Sequence, residues 1–324
     1  MNNKFDLKDI SVVIPTYNRS LDLKETLSSL KTFKDLNEII VVDQSKDNLT
    51  KKLINSLKNN KIKYVYSDVP SITIARNLGV KKSSKSSKII CFIDDDVTLE
   101  KGYFSEILKI FNNNPNAKAA AAYVNPVRGD NKVSIIENFI KSLFFLDHFE
   151  IDKMRMISAY GNTWALDLKK TINTEWLSGV NMNYKKEIFD KQKFDENLLG
   201  YTVAEDIDFS HTLYKRFPDS IFITPYAKIV HRLSDTERYP TEKISYINQV
   251  DHFYFYFKHF NKNLWQKLMF SWSLIGITFL RTIRLVIKPT KINYLKWKYF
   301  LKSLFYCILN QKEIKRGKLR GFKA

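Results

Sequence analysis

Three carboxylates in a row, Asp94, Asp95 and Asp96 in "CFIDDDVTLE", follow directly on an apolar run. Like charges at that spacing repel and raise one another's pKa unless a cation lies between them. Side chains alternate along extended backbone, so Asp94 and Asp96 face one side and Asp95 the other. Such a pair suits a hard divalent ion, Mg2+ or Mn2+, which takes one or two carboxylates plus phosphate oxygens. A solvated turn that opens the next helix explains a lone acidic run equally well, so the rest of the chain must decide. A second acidic pair, Glu205 and Asp206, stands at the start of the helical stretch "AEDIDFSHTLYKRF", where the helix dipole favours ionised carboxylates. His231 ends an apolar run in "AKIVHR", ordinarily the place of a packed or solvated ring.

The elements that must position these groups alternate in type. Apolar, β-branched runs at residues 10–14, 39–42, 62–66 and 89–93 read as strands. Between them, Leu23, Leu27 and Leu30 recur at helical spacing, residues 49–58 look helical, and "ITIARNLGVKKS" reads as a short helix. Strand–helix alternation predicts a parallel sheet with helices on its faces, and ligands in such sheets sit beyond the carboxyl ends of the strands. "PTYNR", "DQSKD" and "DDD" all follow strand ends, so one sheet edge should gather them. A helix over 103–111 follows; 126–178 is apolar and irregular; "IFITP" and "AKIVHR" read as strands.

The formal charge of +19 is unevenly spread. Residues 241–324 hold 13 Lys and 4 Arg against Glu242, Asp251 and Glu313, a balance of +14. A basic segment beside a near-neutral body predicts contact with an anionic surface, nucleic acid or membrane. Cys91 and Cys307 lie far apart in apolar surroundings, which suits a reducing compartment. The first ten residues lack the apolar core of a signal peptide. A cytoplasmic location is expected.

Six segments, in order over roughly residues 9–240, resemble the inverting glycosyltransferases of family 2, which have the nucleotide-sugar-binding α/β fold called GT-A. "SVVIPTYNRS" is similar to their first strand and nucleotide loop, "IIVVDQSKDN" to their second strand with its acidic end, and "ARNLGV" to a loop-to-helix signature. "CFIDDDV" resembles their Asp-x-Asp motif, "LSGVNMNYKKEIF" an acceptor-side segment, and "AEDIDFSHTLYKR" the motif that supplies the base. The resemblance implies a mostly parallel, Rossmann-like sheet and a nucleotide-sugar donor held by Pro15, Thr16, Tyr17, Asp43, Gln44, Arg76, Asp94 and Asp95. It implies a Mn2+ or Mg2+ ion on Asp96, Asp94 and His231, acceptor contacts from Gly179 and Asn181, and Asp206 as general base with Glu205 beside it. Tyr17 offers a stacking face, Asp43 an acceptor and Arg76 a planar donor fork. The second strand departs from the common pattern: Gln44 stands where many members have a second acid. Its amide oxygen can accept a bond but brings no charge, which leaves the nucleotide open, with a UDP-sugar as the leading expectation.

Three regions are expected: 1–125 as the nucleotide-sugar-binding half, 126–240 as the acceptor and catalytic half, and 241–324 as a C-terminal helical, aromatic and basic extension. In the extension Tyr246, Val250, Phe253, Phe257 and Phe260 form a stripe of the kind more often found in a core, and the apolar run 268–280 is too short to span a bilayer. Its aromatics interleave with Lys and Arg as in helices that lie in a membrane interface. The extension thus suits a peripheral seat on the anionic inner face of the cell membrane, near a glycan or lipid-linked glycan acceptor, and leaves a homo-oligomer open. A nucleotidyltransferase of similar fold would carry a Gly- and Lys-rich phosphate loop, and "PTYNRSLDL" has no glycine. A nucleic-acid-binding protein is the other alternative, and no recognised nucleic-acid motif accompanies the charge.

Overall fold

The structure, a computed structural model, describes residues 4–125, 134–200, 202–234 and 240–319. Strands β1 (Ile10–Thr16), β2 (Glu38–Asp43), β3 (Ile62–Tyr66) and β4 (Ile89–Ile93) alternate with helices α1 (Ser20–Leu30), α2 (Leu49–Ser56) and α3 (Ile72–Lys82). The chain continues through β5 (Val97–Leu99), α4 (Tyr103–Asn113), β6 (Ala119–Ala122), α5 (Ile135–Leu143), β7 (His148–Glu150), β8 (Met156–Ser158) and β9 (Gly161–Ala165). Then come β10 (Ile172–Asn173), β11 (Asn181–Lys185), α6 (Glu205–Arg216), β12 (Ile221–Thr224) and β13 (Ile229–His231). Four helices follow: α7 (Thr241–His259), α8 (Leu264–Ile287), α9 (Lys291–Leu309) and α10 (Gln311–Lys315).

The described residues form two compact units. The first draws on Met1–Val124, Asp167–Glu196 and Glu205–Glu237; the second draws on Asn125–Leu166, Asn197–Ala204 and Arg238–Ala324. The first unit is built on an eight-stranded sheet in the order β10-β12-β6-β11-β4-β1-β2-β3. Strands β4, β1, β2 and β3 run parallel, as does the β6–β12 pair, while β11 enters antiparallel between β4 and β6. The mostly parallel sheet flanked by helices is the α/β fold expected from the alternation. Period-two geometry sorts its side chains: Val12, Ile14 and Cys91 pack with Leu23 and Leu27 on one face, while Val13, Phe92 and Tyr184 pack with Phe209 on the other.

Two local devices in this unit matter for the site. A Cβ on Gly79 would overlap the Val13 side chain, so the glycine lets α3 press onto β1 and thereby fixes Arg76, one turn earlier on the helix. A two-stranded ribbon pairs β13 with β5, with His231 opposite Val97. The ribbon brings a residue from late in the chain beside the acidic run.

In the second unit the small sheet β7-β9-β8 accompanies the helices. On α7, Val250 and Phe253 are buried, so that part of the aromatic stripe is core. Phe270 of α8 stacks on Tyr256 with ring centroids 3.8 Å apart and meets Phe253 edge-on at 5.1 Å. The expectation that 268–280 is too short to span a bilayer needs correction. The helix runs unbroken for 24 residues with a mean hydropathy of 1.4 in its most apolar stretch, long and apolar enough to cross by length and composition. Lys267 and Arg281 bound the uncharged run in sequence, but a helix carries charged residues without ending there.

Candidate active site

Strand β4 ends at Ile93, and the acidic run lies immediately beyond it, with Asp95 and Asp96 buried and Asp94 partly open. Alternation holds. Asp95 turns to β1 and accepts from Thr16 Oγ1 at 2.7 Å. Asp94, Asp96 and His231 instead converge, with one ligand-capable atom from each within 4.8 Å of the others. Asp96 Oδ1 is buried and among the described residues meets only His231 Nε2, at 3.1 Å, while its Oδ2 accepts from Ser234 N at 3.0 Å. Two carboxylates and an imidazole, with one buried acceptor oxygen short of a donor, fit a hard divalent cation such as Mn2+ or Mg2+.

Burial raises the Asp95 carboxyl to about 7, against the opposing pull of Thr16 and Arg19. Burial also raises Asp94, with Arg76 opposing. For Asp96 the balance reverses: burial pushes it up, but His231, Ser234 and Arg19 more than offset that and hold it below the usual carboxylate range. Asp96 is thus the carboxylate of the run most firmly held ionised.

Arg76 sits between the two acidic groups picked out in the sequence. It is 1% exposed. Its Nη1 donates to Glu205 Oε1 at 3.0 Å, and its Nη2 lies 3.3 Å from the Gly179 carbonyl and 3.7 Å from Asp94 Oδ1. Its Nε has no hydrogen-bond partner among the described residues, and its guanidinium lies 5.3 Å from the Phe194 ring centroid. Across Gly179 stands Asp206, whose Oδ2 accepts from Gly179 N at 2.5 Å and whose Oδ1 accepts from Ile207 N at 2.7 Å. A Cβ at position 179 would come within 2.9 Å of Arg76 Nη2 and 3.1 Å of Asp206 Oδ2, so backbone alone fits there. Burial raises both Glu205 and Asp206, while Arg76 pulls each back toward the ionised form.

The remaining predicted residues spread out from this centre. Pro15 and Thr16 end β1, and Tyr17 follows, half-buried. Asp43 is fully buried: Tyr64 Oη donates to one oxygen and Ser45 N to the other, each at 3.0 Å. The Gln44 amide nitrogen donates to the carbonyls of Val69 and Ser71, at 2.5 and 2.9 Å, which ties the second strand to the loop before α3. The structure does not bring the Asn181 side chain to the acidic cluster. Its Oδ1 accepts from Tyr103 Oη and Ala122 N, and its Nδ2 donates to the Ala122 carbonyl, so the amide is used inside the sheet. Sequence reasoning missed Arg19, which reaches Asp95 Oδ1 at 3.4 Å and Asp96 Oδ2 at 3.9 Å. The cation in "PTYNRS" was its only signal.

Residues 11–190, more than half of the chain, match glycosyl transferase family 2. The chain belongs to that family. Among its curated relatives is the minor teichoic acid biosynthesis protein GgaB of Bacillus subtilis, 31% identical over 36% of this chain and 13% of its own length. Another is the GalNAc(5)-diNAcBac-PP-undecaprenol beta-1,3-glucosyltransferase of Campylobacter jejuni, 32% identical over 31% of this chain and 33% of its own. The chain thus matches a third or less of either relative's length. GalNAc-T7 with UDP, GalNAc and Mn2+ has a similar fold, with a TM-score of 0.60 and 14% identity over 94% of this chain and 58% of that one. S. aureus TarS 1-349 in complex with UDP-GlcNAc gives a TM-score of 0.53 and 14% identity over 96% of this chain and 88% of that one. The family 2 match spans the segments that carry the acidic run, Arg76 and Gly179.

Proposed function

We propose that this family 2 chain is an inverting glycosyltransferase that moves a sugar from a nucleotide diphosphate, a UDP-sugar first among donors, to a hydroxyl of a glycan or lipid-linked glycan acceptor in cell-surface polysaccharide synthesis. The observation that carries the reading is the single buried Arg76 shared between a cation-competent group, Asp94, Asp96 and His231, and a carboxylate pair, Glu205 and Asp206. A donor diphosphate requires the first group and a hydroxyl nucleophile the second.

In this reading Asp96, Asp94 and His231 hold Mn2+ or Mg2+, which when bound neutralises charge on the leaving diphosphate. Pro15, Thr16 and Tyr17 line the nucleoside, with Tyr17 offering its ring face. Asp206 takes the proton of the acceptor hydroxyl as that oxygen attacks the anomeric carbon from the side opposite the diphosphate. The new carbon–oxygen bond forms as the bond to the phosphate oxygen breaks, the nucleoside diphosphate leaves with the bonding electrons, and configuration inverts. Gly179 N–H fixes the Asp206 carboxylate, and Arg76 partly opposes the burial that raises its pKa. The basic C-terminal helices support a cytoplasmic enzyme seated on the inner face of the membrane, where a lipid-linked acceptor would lie. A thermal-shift screen of nucleotide diphosphates and sugar nucleotides, with and without Mn2+, tests the reading. One nucleotide class should raise the melting temperature only when metal is present. No metal-dependent shift with any nucleotide would sink it.

A further inference from the structure

We infer that α5 and α8 together form a lipid-seating face of the second unit, and that its occupant is a bilayer bearing anionic headgroups. On α8, Trp265, Leu268, Trp272, Ile275 and Phe279 recur at steps of three and four, Val286 follows two turns on along the same face, and all six are exposed, Val286 at 75%. They make one outward stripe. On α5 no residue is buried, and Ile136, Phe139 and Leu143 repeat the same spacing, again exposed. The two helices are fastened to each other. Trp272 Nε1 donates to the Leu143 carbonyl at 2.8 Å, Phe144 packs on Trp272 with centroids 5.0 Å apart, and Arg284 meets Glu137 at 3.3 Å. A Cβ on Gly276 would overlap Phe144, so that glycine permits the close approach.

The other side of α8 is committed to the protein. Phe270, Ser273 and Gly276 are buried, and Phe270 lies in the stack with Tyr256 and Phe253. A crossing helix would forfeit that packing, so α8 lies in the interface plane with its outward stripe in the hydrocarbon margin. Charge decides between lipid and a second copy of the chain. Lys267 lies in the first turn of α8, Lys288 caps its C-terminus and Lys291 opens α9, within a C-terminal region whose formal balance is +14. Two such faces pressed together would set cations against cations, whereas anionic headgroups would attract them. The inference rests on the membrane-surface part of the reading above but not on the transfer chemistry.

The test is flotation of the full chain with vesicles of phosphatidylcholine alone or mixed with phosphatidylglycerol, at low and high salt. Wild type should float with the mixed vesicles at low salt. Phe139→Glu and Ile275→Glu, both at exposed positions, should each cut the bound fraction at least about tenfold, while Leu49→Glu, at an exposed position on α2, should not. Unchanged melting curves identify the variants that fold, and quenching of wild-type tryptophan fluorescence by bromine-labelled lipid checks the face without any mutation. Wild type that neither floats nor is quenched overturns the inference, as do variants that float like wild type. A wild-type dimer that Phe139→Glu converts to a monomer overturns it too, by naming a second copy as the occupant. Metal-dependent nucleotide binding, measured on the same preparations, shows whether the enzymatic reading stands when the lipid face fails.

Discussion

Arg76 and Trp272 mark two ways of departing from an ordinary apolar core. Arg76, 1% exposed, brings a full positive charge into the sheet unit and is met there by Glu205, Asp94 and the Gly179 carbonyl. Trp272, 41% exposed, does the reverse in the helical unit, where hydrocarbon stands in rows open to solvent. Neither arrangement maximises stability. Burying a charge costs more than an isosteric apolar core would, and exposed apolar rows gain nothing until something covers them. The contrast separates a region built around chemistry from one built around a surface.

The largest effect should come from the group that touches the reacting hydroxyl. Asp206→Asn keeps the shape and the Gly179 contact but cannot take a proton, so turnover should fall by about 10²–10⁴-fold with donor affinity nearly unchanged. Glu205→Gln should lose less, because Glu205 faces Arg76. Burial raises the Asp206 pKa, so the acid limb of the wild-type rate profile should lie above the ordinary aspartate range. Steady-state kinetics of both variants across pH, with donor binding alongside, checks this. Near-wild-type turnover in Asp206→Asn beside a dead Glu205→Gln would exchange the two assignments.

Next in size is the cost of breaking the buried charge network. Arg76→Met leaves Glu205 and Asp206 without their cation and should destabilise the protein by about 3–5 kcal/mol in chemical denaturation. The sign of its pH dependence follows from Glu205, whose carboxyl is already raised by burial. A group raised in the folded state contributes stability that is present below its unfolded pKa and lost as pH climbs through the folded value. Removing Arg76 lifts that folded value further, so the deficit should be larger at pH 8 than at pH 5. A deficit that does not vary with pH would mean that packing of the arginine stem, not charge, is what Arg76 supplies.

The smallest effect sharpens the contrast from the other side. Asp251 is a buried carboxyl in the helical unit, bonded by Thr202 Oγ1 at 2.6 Å and Val203 N at 3.1 Å. Burial lifts it to about 7, with those two bonds opposing. Stability from this group is therefore intact near pH 4 and lost as pH rises through 7. Asp251→Asn keeps an acceptor and carries no charge, so it should gain on the order of 1 kcal/mol at pH 8 and nothing at pH 4. Equal destabilisation at both values would show that the bond geometry, not the charge, matters.

Much of the sheet unit was legible because its strands are β-branched runs between helices of clear period, and because "DDD", "ARNLGV" and "AED" each break an apolar pattern with groups that need a partner. β6 was not read as a strand: four alanines carry little strand propensity, and only burial between β11 and β12 explains them. The strands β7 and β8 span three residues each, too few to show a period, and hid in the irregular stretch after 126. In the site, sequence placed Asp94, Asp96, Arg76 and Asp206 near one another only through the order of motifs. That Asn181 serves the sheet instead, and that Gly179 is the spacer between Arg76 and Asp206, are facts of packing between residues 27 to 103 positions apart. Part of the stripe on α7, Val250 and Phe253, became core and that on α8 did not, although both have helical spacing, because spacing fixes a face and not what lies against it.

The account stands most directly on the cation group beyond β4. Calorimetric titration of nucleotide diphosphate into wild type and Asp96→Ala, each with and without Mn2+, isolates it. Wild type should bind only when Mn2+ is present, and Asp96→Ala, folded to the same melting temperature within a few degrees, should lose that dependence together with the binding. Metal-dependent nucleotide affinity that survives in Asp96→Ala would contradict the assignment of Asp94, Asp96 and His231 as the seat of the ion.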